Sequence, residues 1–184
     1  MAWDDVSGAK LCPRMVASAR KEEMGYIKRR KVYSKVKRSS LPPGAKHVRT
    51  KLLDINNGDD SAVEIRARLV AMEFKDGESP ELFAGTPPVG ALRIMCCWAA
   101  TVDPTGGETI IMTNDVKRAY FYAEATNYVW VELPEEDRTR EGRWADNVAK
   151  LNMAMYGTRA AALFWQKKVA GRFKGLGFIK GRAS

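Results

Sequence analysis

Apolar positions along the chain fall into segments of different period. Residues 15–33 place Val16, Ala19, Glu23 and Ile27 near helical spacing. The spacing predicts a helix with basic residues at its C-terminal end, where the helix dipole favours cations. "SSLPPGAK" breaks it. From 48 to 74 the period drops to two. "HVRTKLLDI" runs into the turn signal "NNGDD", and "AVEIRARLVAMEF" sets Val63, Ile65, Ala67, Leu69 and Ala71 against Glu64, Arg66 and Arg68. This predicts a β-hairpin, apolar on one face and carrying two arginines on the other. Two arginines on one strand face suit bidentate phosphate binding, or form an ordinary solvent face.

Beyond the irregular "KDGESPELFAGTPPVG", the stretch "ALRIMCCWAATVD" is apolar nearly all round, as a buried helix would be. "ETIIMTND" has the β-branched run of a buried strand, and "NYVWVEL" alternates like another. "VAKLNMAMYG" predicts a short strand ending at Gly157. "RAAALFWQKKVAGRFKGLGF" predicts an amphipathic helix with Ala161, Trp165, Val169 and Phe173 in one stripe and a stop at Gly175. The fold class expected from this order is α+β.

Charge changes the picture next. The 184 residues, one domain by length or a piece of a larger one, carry a net charge of +9. Residues 20–51 hold twelve Lys/Arg against two acids, and eight Lys/Arg but no acid follow Asp146. Such blocks attract polyanions, nucleic acid foremost inside cells, although a plain solvated surface has the same composition. The candidate contacts are Lys28, Arg29, Arg30 and Lys31 in the first block and Lys167 and Lys168 in the second. Three cysteines, Cys12 and the adjacent Cys96 and Cys97, give neither a disulfide framework nor zinc spacing. Cys96 and Cys97 are expected to pack inertly in their apolar stretch. His47 is the only histidine, which excludes a metal site built from several histidines of this chain. No apolar run approaches the ~18–20 residues of a membrane span, and the N-terminus has no apolar leader core. The simplest location is intracellular, cytoplasmic or nuclear.

Asp115 stands out in "TNDVKRAYFYAEA", between an aliphatic run and an aromatic cluster. Burial of an unpaired carboxylate there is costly. A turn or helix-capping role is one account of it; a cation site is another.

The segments "RARLVAMEF" (66–74), "NDVKRAYF" (114–121), "YVWVELP" (128–134), "KLNMAMYG" (150–157) and "FWQKKVAGRFKGLGF" (164–178) together resemble, in order and approximate spacing, the reverse transcriptases of copia-type LTR retrotransposons. The resemblance runs from about Lys46 to Phe178. It implies a polymerase fingers–palm fragment with an incomplete, mainly antiparallel sheet and packing helices. A basic helical segment, 1–45, would precede a partial reverse transcriptase domain, 46–184. It implies RNA-directed DNA polymerase activity within a Pol polyprotein, with template-primer RNA or DNA, dNTP and the remaining Pol regions as partners, and no membrane.

By the same resemblance Asp115 matches the first metal-binding aspartate of the palm, and the Val116 carbonyl completes the shell of one of two Mg²⁺ ions. Arg66 and Arg68 match basic fingers positions that hold the triphosphate. Tyr120 matches the aromatic residue under the incoming sugar, and Tyr156 and Gly157 open the segment against the templating pair. The pattern also departs from the family. Thr158, Ala160 and Ala162 stand where it has Leu, Gln and Pro. No Tyr-x-Asp-Asp strand follows the Gly177-Phe178 turn. The expectation is therefore a chain inactive by itself and weak in Mg²⁺ binding. The alternatives are a basic nucleic-acid-binding module without chemistry, or a decayed remnant. An unpaired sheet edge is expected near 109–115.

Overall fold

The computed structural model describes residues 1–45, 47–59, 61–74, 77, 82, 84–101, 107, 110–127, 129–138 and 146–179. Among them it has three helices and small antiparallel or mixed sheets, a mixed α/β architecture. In chain order the elements are β1 (Ala2–Trp3), β2 (Lys10–Leu11), α1 (Pro13–Arg30), β3 (Tyr33–Lys37), β4 (His47–Val48), β5 (Thr50–Asn56), β6 (Ile65–Ala71), α2 (Val89–Ala99), β7 (Trp130–Glu132), β8 (Asn147–Leu151) and α3 (Ala161–Gly175).

The helix predicted over 15–33 forms as α1. Pro13 starts it with no N–H to waste, and Lys31 ends it in the left-handed region at φ 51°. Its apolar stripe, Val16, Met24 and Ile27, is buried with Glu23 among it. The hairpin forms as β5 and β6, paired antiparallel from Thr50↔Ala71 to Asn56↔Ile65. Its alternation holds: Ala67, Leu69 and Ala71 are buried, while Arg66 and Arg68 lie on the other face. The Asn56 side chain accepts hydrogen bonds from the Gly58 and Glu64 amides and closes the turn.

The second sheet runs β3-β8-β7-β4, with β8 antiparallel to both neighbours and β4 parallel to β7. The β1–β2 hairpin and β3 carry no clear periodicity in the sequence, because each is short and partly exposed. The core joins α1, the hairpin and this sheet through Met24, Ile27, Val32, Leu52, Leu69, Phe121, Val131, Leu151 and Met155.

Two expectations are overturned. The stretch read as a buried helix forms α2, but none of its residues is buried. Leu92, Ile94, Met95 and Trp98 face solvent, and so do Cys96 and Cys97, which are not inert packing. The run read as a buried strand is not one: residues 110–115 are irregular and exposed, so no sheet edge lies there. Both segments have strong local apolar signals. Neither is covered by a packed element among the described residues, and burial needs a partner surface as well as a composition. No described helix is long and apolar enough to cross a membrane.

Candidate functional site

Four sequence candidates, Arg68, Tyr120, Tyr156 and Gly157, come together toward the open end of the hairpin, while Arg66 lies nearer the turn, opposite Ile55. The chain at 155–157 lies along the end of β6: the Ala71 amide donates to the Tyr156 carbonyl at 2.7 Å, and the Glu73 amide to the Gly157 carbonyl at 3.2 Å. Gly157 makes this approach possible. Its φ is +79°, and a Cβ there would sit 1.9 Å from the Ala71 carbonyl oxygen. The docking brings the Tyr156 ring beside β6, where the Arg68 guanidinium lies 5.7 Å from its centroid. Tyr120 stands 4.7 Å away on the other side, ring to ring, and the buried Phe121 meets Tyr156 edge-on at 5.5 Å. Burial pushes the Tyr156 phenol up, and the Arg68 charge acts against that shift. Arg66 follows on the same strand face and, with Lys117 and Arg118, borders a cavity of about 210 Å³ that Glu22 and Glu64 also line.

Tyr120 and Phe121 reach this place because residues 119–122 form one 3-10 turn. The turn packs on the start of α3 through Ala123, Ala154, Ala161, Phe164 and Trp165. Arg118, just before it, adopts the left-handed region at φ 54°. An anchor absent from the candidates above holds it there. Its Nε donates to Glu23 at 2.8 Å and its Nη2 to Glu22 at 3.2 Å, and its guanidinium lies 4.4 Å from the Tyr26 centroid. Glu23 is 1% exposed, a buried carboxylate that depends on this partner. The sequence signal was available: an acid within an otherwise apolar helical stripe.

Asp115 lies apart from this anchor. It is exposed on the irregular stretch ahead of Arg118. Among the described residues it has no hydrogen bond or ion pair, and it caps no helix. Val116 is exposed beside it. No group of three or more His, Cys, Asp or Glu gathers among the described residues. Two Mg²⁺ held ~3.5–4 Å apart need several shared carboxylates. One exposed carboxylate does not fit that requirement.

The basic block is less free than its charge suggests. Arg20 is bonded to buried Asp54 at 2.6 Å and to Glu136 at 2.8 Å. Lys28 and Lys35 share Asp137, at 2.9 and 3.1 Å. Arg38 reaches Glu132 and Asp146, and Lys51 pairs with Asp5. Burial alone would raise the Asp137 carboxyl; hydrogen bonds from Lys28, Tyr33 and Lys35 outweigh it and hold the group below the usual carboxylate range. Of the named contacts, Arg29 and Lys31 are exposed and without an ion pair among the described residues, and Arg30 lies against Tyr122. Lys167 and Lys168 are exposed on α3. A larger cavity, about 1290 Å³, lies elsewhere, along α1 between the β1–β2 hairpin and β5.

No family model, curated protein or solved structure matches this chain.

Proposed function

We propose that this chain is a nucleic-acid- and nucleotide-binding fragment of reverse transcriptase type, corresponding to fingers and part of a palm, and that these 184 residues do not perform nucleotidyl transfer unaided. One observation carries the reading. Arg68, Tyr120, and Tyr156 with Gly157 come from three distant segments and meet toward one end of the hairpin, with Arg66 two residues along the same strand face. Guanidinium groups beside exposed or half-buried rings supply what a nucleotide needs, donors for phosphate and a surface for sugar and base. Mg²⁺, which the resemblance implies, would find Asp115 as its one ligand side chain, and weak binding is the consequence. The exposed cations Arg29, Lys31, Lys167 and Lys168 add sequence-independent attraction for a polynucleotide backbone.

The test is a salt series of filter binding on single-stranded DNA and RNA–DNA hybrid, with primer extension in parallel. Binding should weaken steeply with salt, at a log–log slope of about −0.7 to −0.9 per phosphate neutralised. Arg66→Ala with Arg68→Ala should lower dNTP affinity about tenfold or more, as loss of charge-assisted bonds does. No extension should occur with Mg²⁺ or Mn²⁺. Absent or salt-insensitive binding removes the reading. Extension that Asp115→Asn abolishes would instead establish an enzyme whose other carboxylates lie outside the described residues.

A further inference from the structure

Along one face of α1 and the 119–122 turn, two arginines and two tyrosines form a ladder. Arg118 lies 4.4 Å from the Tyr26 ring centroid, the Tyr26 and Tyr122 hydroxyls are 3.3 Å apart, and Arg30 lies 4.2 Å from the Tyr122 centroid. The order is Arg118, Tyr26, Tyr122, Arg30, with Tyr26 and Arg30 one helical turn apart on α1.

The two ends differ. The Arg118 charge is committed, bonded to Glu22 and to buried Glu23. That end is a structural anchor. Arg30 has no carboxylate partner among the described residues. Its one hydrogen bond is a long one, from Nη2 to the Phe121 carbonyl at 3.5 Å, and its Nε is buried with no acceptor. Tyr122 beside it is 41% exposed. Its phenol edge is fixed by Tyr26, so the ring is held rather than free to rotate away. The flanking side chains, Arg29 and the capping Lys31, are exposed cations that border other cavities, Arg29 toward β1 and β5 and Lys31 beside Tyr33 and Asp137.

We infer that Tyr122 and Arg30 form a stacking platform for one base of a single-stranded nucleic acid, with Arg30 holding a phosphate that flanks it. The inference rests on the nucleic-acid reading above and gives it a second contact point, distinct from the Arg66–Arg68–Tyr156 group. The chemistry beside Tyr122 selects the occupant: an exposed ring held by a neighbouring hydroxyl takes any base face, and the Arg30 guanidinium, without a carboxylate partner among the described residues, takes its backbone. A duplex hides its base faces and would use the cations alone. An acidic peptide would likewise leave the ring idle.

The test uses the full chain and three probes of matched length: oligo-dT, an abasic oligodeoxynucleotide and polyphosphate. Tyr122→Ala should lower oligo-dT affinity about 5- to 100-fold, the range reported by loss of one aromatic–base stack, and leave the abasic and polyphosphate affinities within about twofold. Tyr122→Phe should retain most of the oligo-dT affinity. Arg30→Gln should weaken all three probes, because it removes a cation. Oligo-dT carrying 5-iodouracil should crosslink on irradiation to the peptide that contains Tyr122. Thermal melts of each variant check that it folds. If Tyr122→Ala binds oligo-dT like the unmodified chain, the platform is overturned while the wider reading stands. Equal losses on all three probes also overturn it, since they show a charge or folding effect. Crosslinks confined to other peptides do the same. If the unmodified chain binds none of the probes, both readings fall.

Discussion

α1 and α2 make the instructive pair. Both segments carry enough apolar residues to suggest a buried face. α1 runs 18 residues and lays Val16, Met24 and Ile27 into the core against β6 and the second sheet. α2 runs 11 residues and buries none. The more apolar helix is the more exposed one. Apolar content says that a surface would gain from burial; it does not say what will bury it. α1 is framed by elements that reach it from far along the chain, including Arg118 on Glu23 and Glu136 on Arg20. α2 has no such partner among the described residues, and an isolated helix of that length has little stability of its own in water.

The widest test of this contrast is Leu69→Ala. Leu69 is fully buried on β6 beneath α1, and its loss should cost about 2–5 kcal/mol, read from the urea midpoint. A cost below 1 kcal/mol would mean that the hairpin does not pack on α1 as described. Next comes Gly157→Ala. A side chain there meets the Ala71 carbonyl and an unfavourable φ, and destabilisation of about 1–3 kcal/mol is expected. An unchanged midpoint would show that 155–157 is not docked on β6.

The hairpin needed little beyond the sequence to be found. Alternation from Val63 to Ala71 and the Asn-Asn-Gly turn determine pairing and facing locally, through residues within one another's reach. α1 and α3 were legible as helices for the same reason, although of the α3 stripe Ala161 alone is buried and Phe173 is exposed. What the sequence hid was relational. Glu23 and Arg118 sit 95 residues apart, so the buried charge was visible and its partner was not. The basic block looked free because Asp54, Asp137 and Glu132, which neutralise much of it, lie on other elements. Tyr120 and Tyr156 came from motif likeness and Arg66 and Arg68 from strand alternation as well, and the meeting of Arg68, Tyr120 and Tyr156 depends on Gly157 letting two segments touch. The isolation of Asp115 could not be read from its apolar neighbours, which themselves stay exposed.

Carboxylates repeat the contrast on a smaller scale. Asp4 accepts hydrogen bonds from the backbone amides of Asn56, Ser7 and Val6, and these hold its pKa down to about 2. An Asp in an unfolded chain titrates near ~3.9. The folded state therefore gains from Asp4 above about pH 4, and the gain fades as the pH falls towards 2. Melting temperature measured across that window should fall less steeply in Asp4→Asn than in the unmodified chain. Asp115, exposed and without a hydrogen bond or ion pair among the described residues, has no such hold. Parallel curves for Asp4→Asn would remove the hydrogen-bond account. The smallest effect belongs to α2: Trp98 is 72% exposed, and Trp98→Ala should shift stability by no more than about 0.5 kcal/mol. A loss of 2 kcal/mol or more would show that α2 has a buried partner after all, and the contrast between the helices would collapse.

The position of β8 in its sheet has a consequence for how the chain is made. β8 lies between β3 and β7 and pairs with both, Tyr33 opposite Leu151 at one end of its longer pairing. On a ribosome, β3 emerges more than a hundred residues before its neighbour exists. At roughly 5–20 residues per second that is a wait on the order of ten seconds. The β5–β6 hairpin has no such delay and can close on α1 while synthesis continues. The nascent chain thus carries a half-built core with Val32 and its neighbours uncovered until Asn147–Leu151 arrives. Its window of exposure to chaperones, or to aggregation, is set by the placement of one five-residue strand.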